Sequence, residues 1–387
     1  MLGGPSGCHR GWVQQSAWAG SNLDSKEGGS MEETQELIWD CGTAYDLFVS
    51  LEVLHEPAEF GVRASWAAGV RARLPGAERE ILEQGRMLFH IPFHWLYSLP
   101  EPKEGTTVLW ALGQVPPAER LPLLAFQPDV PTDLETMLCN VAACGTWSAD
   151  DEAALCAAYS CGMSKKAPSA EDVASILGWW ANAAEFGERY LEALSAYRDV
   201  FFAEEEKRIQ PALEAALARA QQLAEQLTLP DLLEELSQGV RLEELPASQD
   251  VVLAPSYWCT PLIFFGKPST DLRLFLFGAR PPDASLVPGE AVPDAMLAAL
   301  KALSDPTRLR ILRYLAEEPL TPAQLARRLR LRAPTVTHHL KALRLAGLLQ
   351  VRMDKEKSER RYAARSEAIA ATFDSLAGFL RKEDNPN

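Results

Sequence analysis

Tyr45, Leu47, Phe48, Leu51, Val53 and Leu54 make the segment from Ala44 to Leu54 apolar on nearly every side, up to the break at Pro57. A helix without a polar face belongs inside a domain, so this segment predicts a buried helix. Helical spacing recurs from Phe60 to Arg73 around Val62, Trp66 and Val70, and again from Glu78 to Phe89 before Ile91-Pro92. Seven prolines between Pro100 and Pro131 restrict that stretch to coil with short helices at most. Thr132 to Ser160 is helical again. Ser169-Ala170-Glu171-Asp172 caps a long helical system that reaches about Leu227, with Pro211 expected to kink or restart it. Leu229-Pro230 opens a last short helix, which Gly239 ends.

The period then becomes that of strands. Val251-Val252-Leu253, Leu262-Ile263-Phe264-Phe265 and Leu272-Arg273-Leu274-Phe275-Leu276-Phe277 are separated by Pro255, Pro261 and Gly266-Lys267-Pro268-Ser269. They predict a small antiparallel sheet appended to the helical body. The expected fold class is mainly α, of α+β type, in four parts. Residues 1–30 are a Gly- and Ser-rich leader expected to be mobile, with Met31 as a second candidate start; 31–280 form the helical body with its strands. Residues 281–292 are a Pro-rich linker, and 293–387 form a separate carboxyl-terminal domain.

That last domain has the most specific pattern. Asp305 is placed to cap a helix that begins with Pro306, and Thr321 repeats the device with Pro322 at the first helical position and Gln324 completing a capping box. In the third segment Val336, Leu340 and Leu343 form an inward stripe. Thr335, Thr337, His338 and Lys341 are left facing out, and Gly347 closes the helix. Two short helices joined tightly, the second presenting small polar and basic groups, make a helix-turn-helix that lays its second helix in the DNA major groove. Leu349, Val351 and Met353 then alternate with Gln350 and Arg352, followed by a charged turn from Asp354 to Glu359 and Arg360-Arg361-Tyr362, which predicts a two-stranded wing.

From Leu303-Ser304-Asp305-Pro306-Thr307-Arg308 through Gly347-Leu348 the chain resembles the winged helix of ArsR-type regulators, the arsenic-responsive repressor family. The resemblance covers about the last hundred residues. It implies double-stranded DNA as partner and a homodimer built on the first and last helices, here Pro293 to Leu303 and Ser366 to Leu380, with Leu376, Phe379 and Leu380 as the apolar stripe. Where family members often carry Ser, this chain has Arg332, so the third helix lacks its usual cap. Metal-sensing relatives carry Cys-x-Cys where this chain has Leu325-Ala326-Arg327-Arg328, or use a histidine on the terminal helix, which Ser366 to Lys382 does not contain; no metal or other cofactor is implied. The helical amino-terminal half, including Ala44-Tyr45-Asp46-Leu47, looks similar to that of longer ArsR-like regulators, and no activity comes with that similarity. Recognition is expected from Thr335, Thr337, His338 and Lys341 at base edges. Phosphate contacts are expected from Arg327, Arg328, Arg332, Lys355, Lys357, Arg360 and Arg361.

Charge agrees with this division of labour. From Asp294 onward there are 18 Lys and Arg against 11 Asp and Glu, whereas the preceding 293 residues hold 20 against 42. A basic run is by itself often only a solvated face; on a helix-turn-helix it is the expected phosphate footprint. Seven cysteines with no apolar signal segment point to a reducing, cytoplasmic setting, and no apolar stretch is long enough for a membrane span.

Other constellations favour packing over chemistry. His90 and His94 have the spacing of a metal pair, yet Pro92 lies between them and Phe89, Phe93, Trp95 and Tyr97 surround them. Cys139, Cys144, Cys156 and Cys161 sit among Ala, Leu and Val on helices, where a thiol is expected to serve as a small core hydrophobe. Ten tryptophans, among them Trp179-Trp180, all precede Pro281; a core is the default for them, and a pocket for a small apolar ligand the second reading. No catalytic motif is present. The expected function is a sequence-specific, dimeric transcriptional repressor that answers a non-metal signal through its amino-terminal domain and is not an enzyme. The alternative is an enzyme or small-molecule-binding body over residues 31–280 whose DNA-binding domain regulates its own gene.

Overall fold

The computed structural model describes residues 36–159, 168–242, 249–286, 292–353 and 360–381. A short strand, β1 (Leu37–Trp39), leads into α1 (Thr43–His55), which is buried along almost its whole length, as its largely apolar character requires. The chain continues through α2 (Ala64–Arg71), α3 (Gly76–Leu88), α4 (Phe93–Ser98), α5 (Gly105–Gln114) and α6 (Pro117–Ala125), of which α2, α4 and α5 pack against α1. The proline-rich stretch thus holds two helices of 10 and 9 residues, and Pro117 occupies a first helical turn where its missing N–H costs nothing. Next come α7 (Thr132–Cys144), α8 (Ala149–Ala158), α9 (Ala170–Ala181) and α10 (Ala183–Tyr197). The expected cap at Ser169 is present and takes the form of a capping box, with Asp172 closing it. A π-helical turn, Arg198–Phe202, joins α10 to α11 (Ala203–Ala224). The break in this long helical system falls at Asn182, between α9 and α10, and α11 runs on through Pro211 without restarting. The last helix of the body is α12 (Leu229–Leu236).

Three further strands follow in the body after β2 (Val240–Leu242): β3 (Asp250–Ser256), β4 (Phe264–Gly266) and β5 (Leu272–Gly278). β3, β4 and β5 lie at or near the three expected runs, but β1 and β2 are not among those expected and the sheet is not antiparallel. Its order is β1-β3-β5-β4, with β1 and β5 parallel to β3 and only β4 antiparallel to β5. The link Tyr257–Ile263 carries the chain past one strand position, and the β4–β5 hairpin returns into the gap, which forces β5 to run alongside β3. Both faces of this sheet are buried, as parallel strands require. Val252, Ala254, Leu274 and Leu276 point toward α1 and the main core, while Val251, Leu253, Phe275 and Phe277 face α11 and α12.

Buried polar groups lock the start of α1 in place. Asp46 accepts from Ser256 Oγ at 2.7 Å and from the backbone N–H groups of Trp258 at 2.9 Å and Tyr257 at 3.2 Å. Asp40 pairs with Lys103 at 2.6 Å and accepts from the Tyr45 hydroxyl at 2.5 Å. Most of the described tryptophans serve the core: Trp258 stacks on Trp66 with centroids 5.9 Å apart, and Trp180 on Phe126 at 5.1 Å. The expected core role of the cysteines fails at α7. Its inward stripe is Leu134, Leu138 and Val141, so Cys139 and Cys144 fall on the outer face and are exposed, with Cys156 of α8 half-buried; Cys161 lies outside the described residues. His90 precedes α4 and His94 lies within it, so the two do not share a helical face. Among the described residues no group of three or more His, Cys, Asp or Glu is arranged to hold a metal, and no helix is long and apolar enough to cross a membrane.

The carboxyl-terminal part consists of α13 (Asp294–Leu303), α14 (Pro306–Glu317), α15 (Pro322–Leu329), α16 (Ala333–Leu345), β6 (Leu349–Met353), β7 (Arg360–Ala364) and α17 (Ser366–Arg381). It has its own core, centred on Ile311, Leu325, Val336, Leu343 and Leu349. It does not stand apart from the body. β2 pairs in parallel with β6, so the wing is a three-stranded sheet in the order β2-β6-β7, with its outer strand supplied by the body.

Candidate nucleic-acid interface

Each helix of the reading unit starts as its sequence specifies. Asp305 accepts from the Arg308 N–H at 2.9 Å, and Thr321 and Gln324 form the reciprocal capping box. α15 ends at Arg330 in the left-handed conformation, at φ 56°, which turns the chain sharply into α16. Arg332 stands at the N-cap of α16 without a side-chain cap, as expected from the missing Ser. Gly347, at φ +70°, ends that helix.

Val336, Leu340 and Leu343 are buried, which fixes the rotation of α16. Thr335, Thr337 and His338 are therefore exposed on its outer face. The Thr337 hydroxyl donates to the Ala333 carbonyl at 3.1 Å, leaving its lone pairs outward. Burial lowers the pKa of the neighbouring His339 against the opposing pull of Asp305. Lys341 lies one turn beyond Thr337 and is ion-paired with Glu59 of the body.

Arg327 and Arg328 are exposed on α15, and Arg328 is held by Glu318 at 2.6 Å and over the Tyr314 ring at 5.8 Å. On the wing, Arg361 lies directly across from Arg352. Like charges opposite one another on a sheet repel, and a polyanion relieves that repulsion. Arg352 thus joins the basic face through strand register, a placement that the sequence alone left open. Arg360 occupies the neighbouring position on the same strand. Lys355 and Lys357 fall outside the described residues.

The far end of α16 carries a second group that sequence reasoning missed. Arg344 is buried and donates to the carbonyls of Ser237 at 3.3 Å and Gln238 at 3.4 Å, just before β2. Burial lowers its pKa to about 10. Nothing in the local pattern marks this arginine, because its partners lie more than a hundred residues away.

Three short helices with an exposed polar face on the last, followed by a β wing flanked by arginines, define a winged helix-turn-helix unit. Residues 303–352 match the family of the helix-turn-helix domain, so the chain carries a DNA-binding domain of that kind. No curated protein matches the chain significantly.

Proposed function

We propose that this chain is a sequence-specific transcriptional regulator, a homodimeric repressor of ArsR type acting in the cytoplasm. Its domain of residues 293–387 reads DNA, and the body of residues 31–280 receives a non-metal signal. The observation that carries this proposal is the coincidence of the helix-turn-helix match with an α16 whose Thr335, Thr337 and His338 are exposed, flanked by Arg327, Arg328, Arg332, Arg360 and Arg361. Thr335, Thr337, His338 and Lys341 read base edges, and the arginines, with Lys355 and Lys357, hold phosphates. Dimerisation through α13 and α17 is supported by the exposed Phe373 and Leu380 on α17. The aromatic-rich body, linked to the remaining domain by residues 281–292, serves as sensor rather than enzyme, with a small apolar molecule as its candidate signal.

The test is selection of duplexes from a random pool by the full chain, followed by footprinting. An enriched site with two half-sites is expected; a pool that stays random after repeated rounds would sink the proposal. Affinity should be steeply salt-dependent, since about 6 to 10 neutralised phosphates cost roughly 10³ to 10⁵ in binding between 50 and 200 mM salt. Zinc, cadmium or arsenite should leave binding unchanged, and release at stoichiometric metal would assign the cysteines a ligand role instead.

A further inference from the structure

The body reaches the reading helix at the residue expected to enter the groove. Glu59 ends a 3-10 turn, Pro57–Glu59, and its carboxylate is ion-paired with Lys341 Nζ. The turn is firmly based: the Glu59 N–H donates to the Glu56 carbonyl at 2.8 Å, and Phe60 beside it is buried and stacked on Phe264 with centroids 6.0 Å apart. The Glu59 side chain is only 12% exposed, so its charge is largely withdrawn from water and rests against the lysine.

A DNA major groove about 12 Å wide admits one α-helix, whose side chains already span roughly 10–12 Å. With a second segment seated against the Lys341 face, α16 cannot descend to the depth at which that lysine meets base edges. We propose that the Pro57–Glu59 turn is an autoinhibitory element, in which Glu59 occupies Lys341 in place of DNA. Body and DNA then compete for one side chain. Less than one turn beyond Lys341, Arg344 and the β2–β6 pairing hold the body on the wing, so release of the turn is a local opening and need not separate the two parts. This competition presupposes that the chain binds DNA as proposed.

The test uses the full chain and a fluorescent duplex of random sequence at low salt. Glu59→Gln should bind up to about fivefold more tightly than wild type, the upper range of one ion pair that is partly open to solvent. The gain should shrink as salt rises. Glu83→Gln removes the same charge from an exposed position of α3 and should leave affinity unchanged. In parallel, a carbodiimide joins Glu59 to Lys341 as an amide, taking up the lost water as urea. The linked peptide should appear in digests of the free wild-type chain and vanish once duplex saturates it. If wild type binds duplex while Glu59→Gln binds no more tightly, or the link forms undiminished at saturation, autoinhibition is overturned and DNA binding stands. If neither protein binds any duplex, DNA binding itself fails and takes the inference with it.

Discussion

At the scale of single residues, the proposed DNA contacts are of two kinds, which substitutions can tell apart. Thr337 stands on the outer face of α16, and Thr337→Ala should lose about 1–3 kcal/mol of discrimination at one base position once a selected site is known. Arg361→Ala should instead weaken all sequences alike and lower the salt slope by about one. Titrations on the selected and a scrambled duplex separate the two outcomes; equal losses on both duplexes for both variants would refute these roles. Asp46 makes a prediction about pH. Its burial pushes the carboxyl up to about 6, although three donors favour the anion. The folded chain therefore holds this proton more tightly than the unfolded chain, whose carboxyl titrates near the ordinary ~3.9. The stability this contributes is whole below about pH 4 and is lost as pH rises through about 6. The margin of wild type over Asp46→Asn should accordingly fall by roughly 2–3 kcal/mol between pH 4 and 7 in denaturant titrations. A margin that does not change with pH would remove Asp46 as the titrating group.

At the scale of elements, the contact of α6 with α10 depends on one missing side chain. Gly187 lies so close to the start of α6 that a Cβ there would run into the Pro117 carbonyl, while its own carbonyl accepts from Arg120 Nη1 at 3.1 Å. Because the obstacle is backbone, it cannot swing aside as a side chain would. Gly187→Ala should therefore destabilise by about 1–3 kcal/mol, against the small gain that alanine usually brings to a helix interior. Gly69 offers the control: a Cβ there meets nothing within 4 Å, so Gly69→Ala should stabilise α2. Thermal melts of both variants decide the matter, and a neutral Gly187→Ala would mean that α6 can slide.

For the whole molecule, the question is whether body and reader behave as one. β2 completes the wing, and Arg344 is buried between the two parts against backbone carbonyls. Removing the body would expose that arginine and leave β6 as an edge. We therefore expect the intact chain to unfold in one calorimetric transition, and Arg344→Ala, which leaves the Ser237 and Gln238 carbonyls without that donor, to split it into two. Two independent transitions in wild type would show that the docking contributes little. The excess of acidic residues in the first 293 positions opposes DNA only within about a Debye length, ~8 Å at physiological salt, so the docked arrangement is what brings that charge within range.

The sequence by itself determined the local features: α1 as a buried helix, the caps at Ser169, Asp305 and Thr321, the inward stripe of α16 and the positions of β3 to β7, though not of β1 and β2. Each depends on residues within about one helical turn or on simple alternation, and such signals are complete in the chain. Tertiary structure alone decided the direction of the strands, because β3 and β5 have the same composition in either orientation and the link Tyr257–Ile263 chose between them. It turned Cys139 and Cys144 outward, where composition had suggested a core, since the stripe of Leu134, Leu138 and Val141 fixed the rotation of α7. It also set Arg352 across from Arg361, buried Arg344, and brought Glu59 to Lys341 from 282 positions away. Contacts of that separation leave no periodic trace in sequence, because the partners share no element and their meeting depends on how two cores dock.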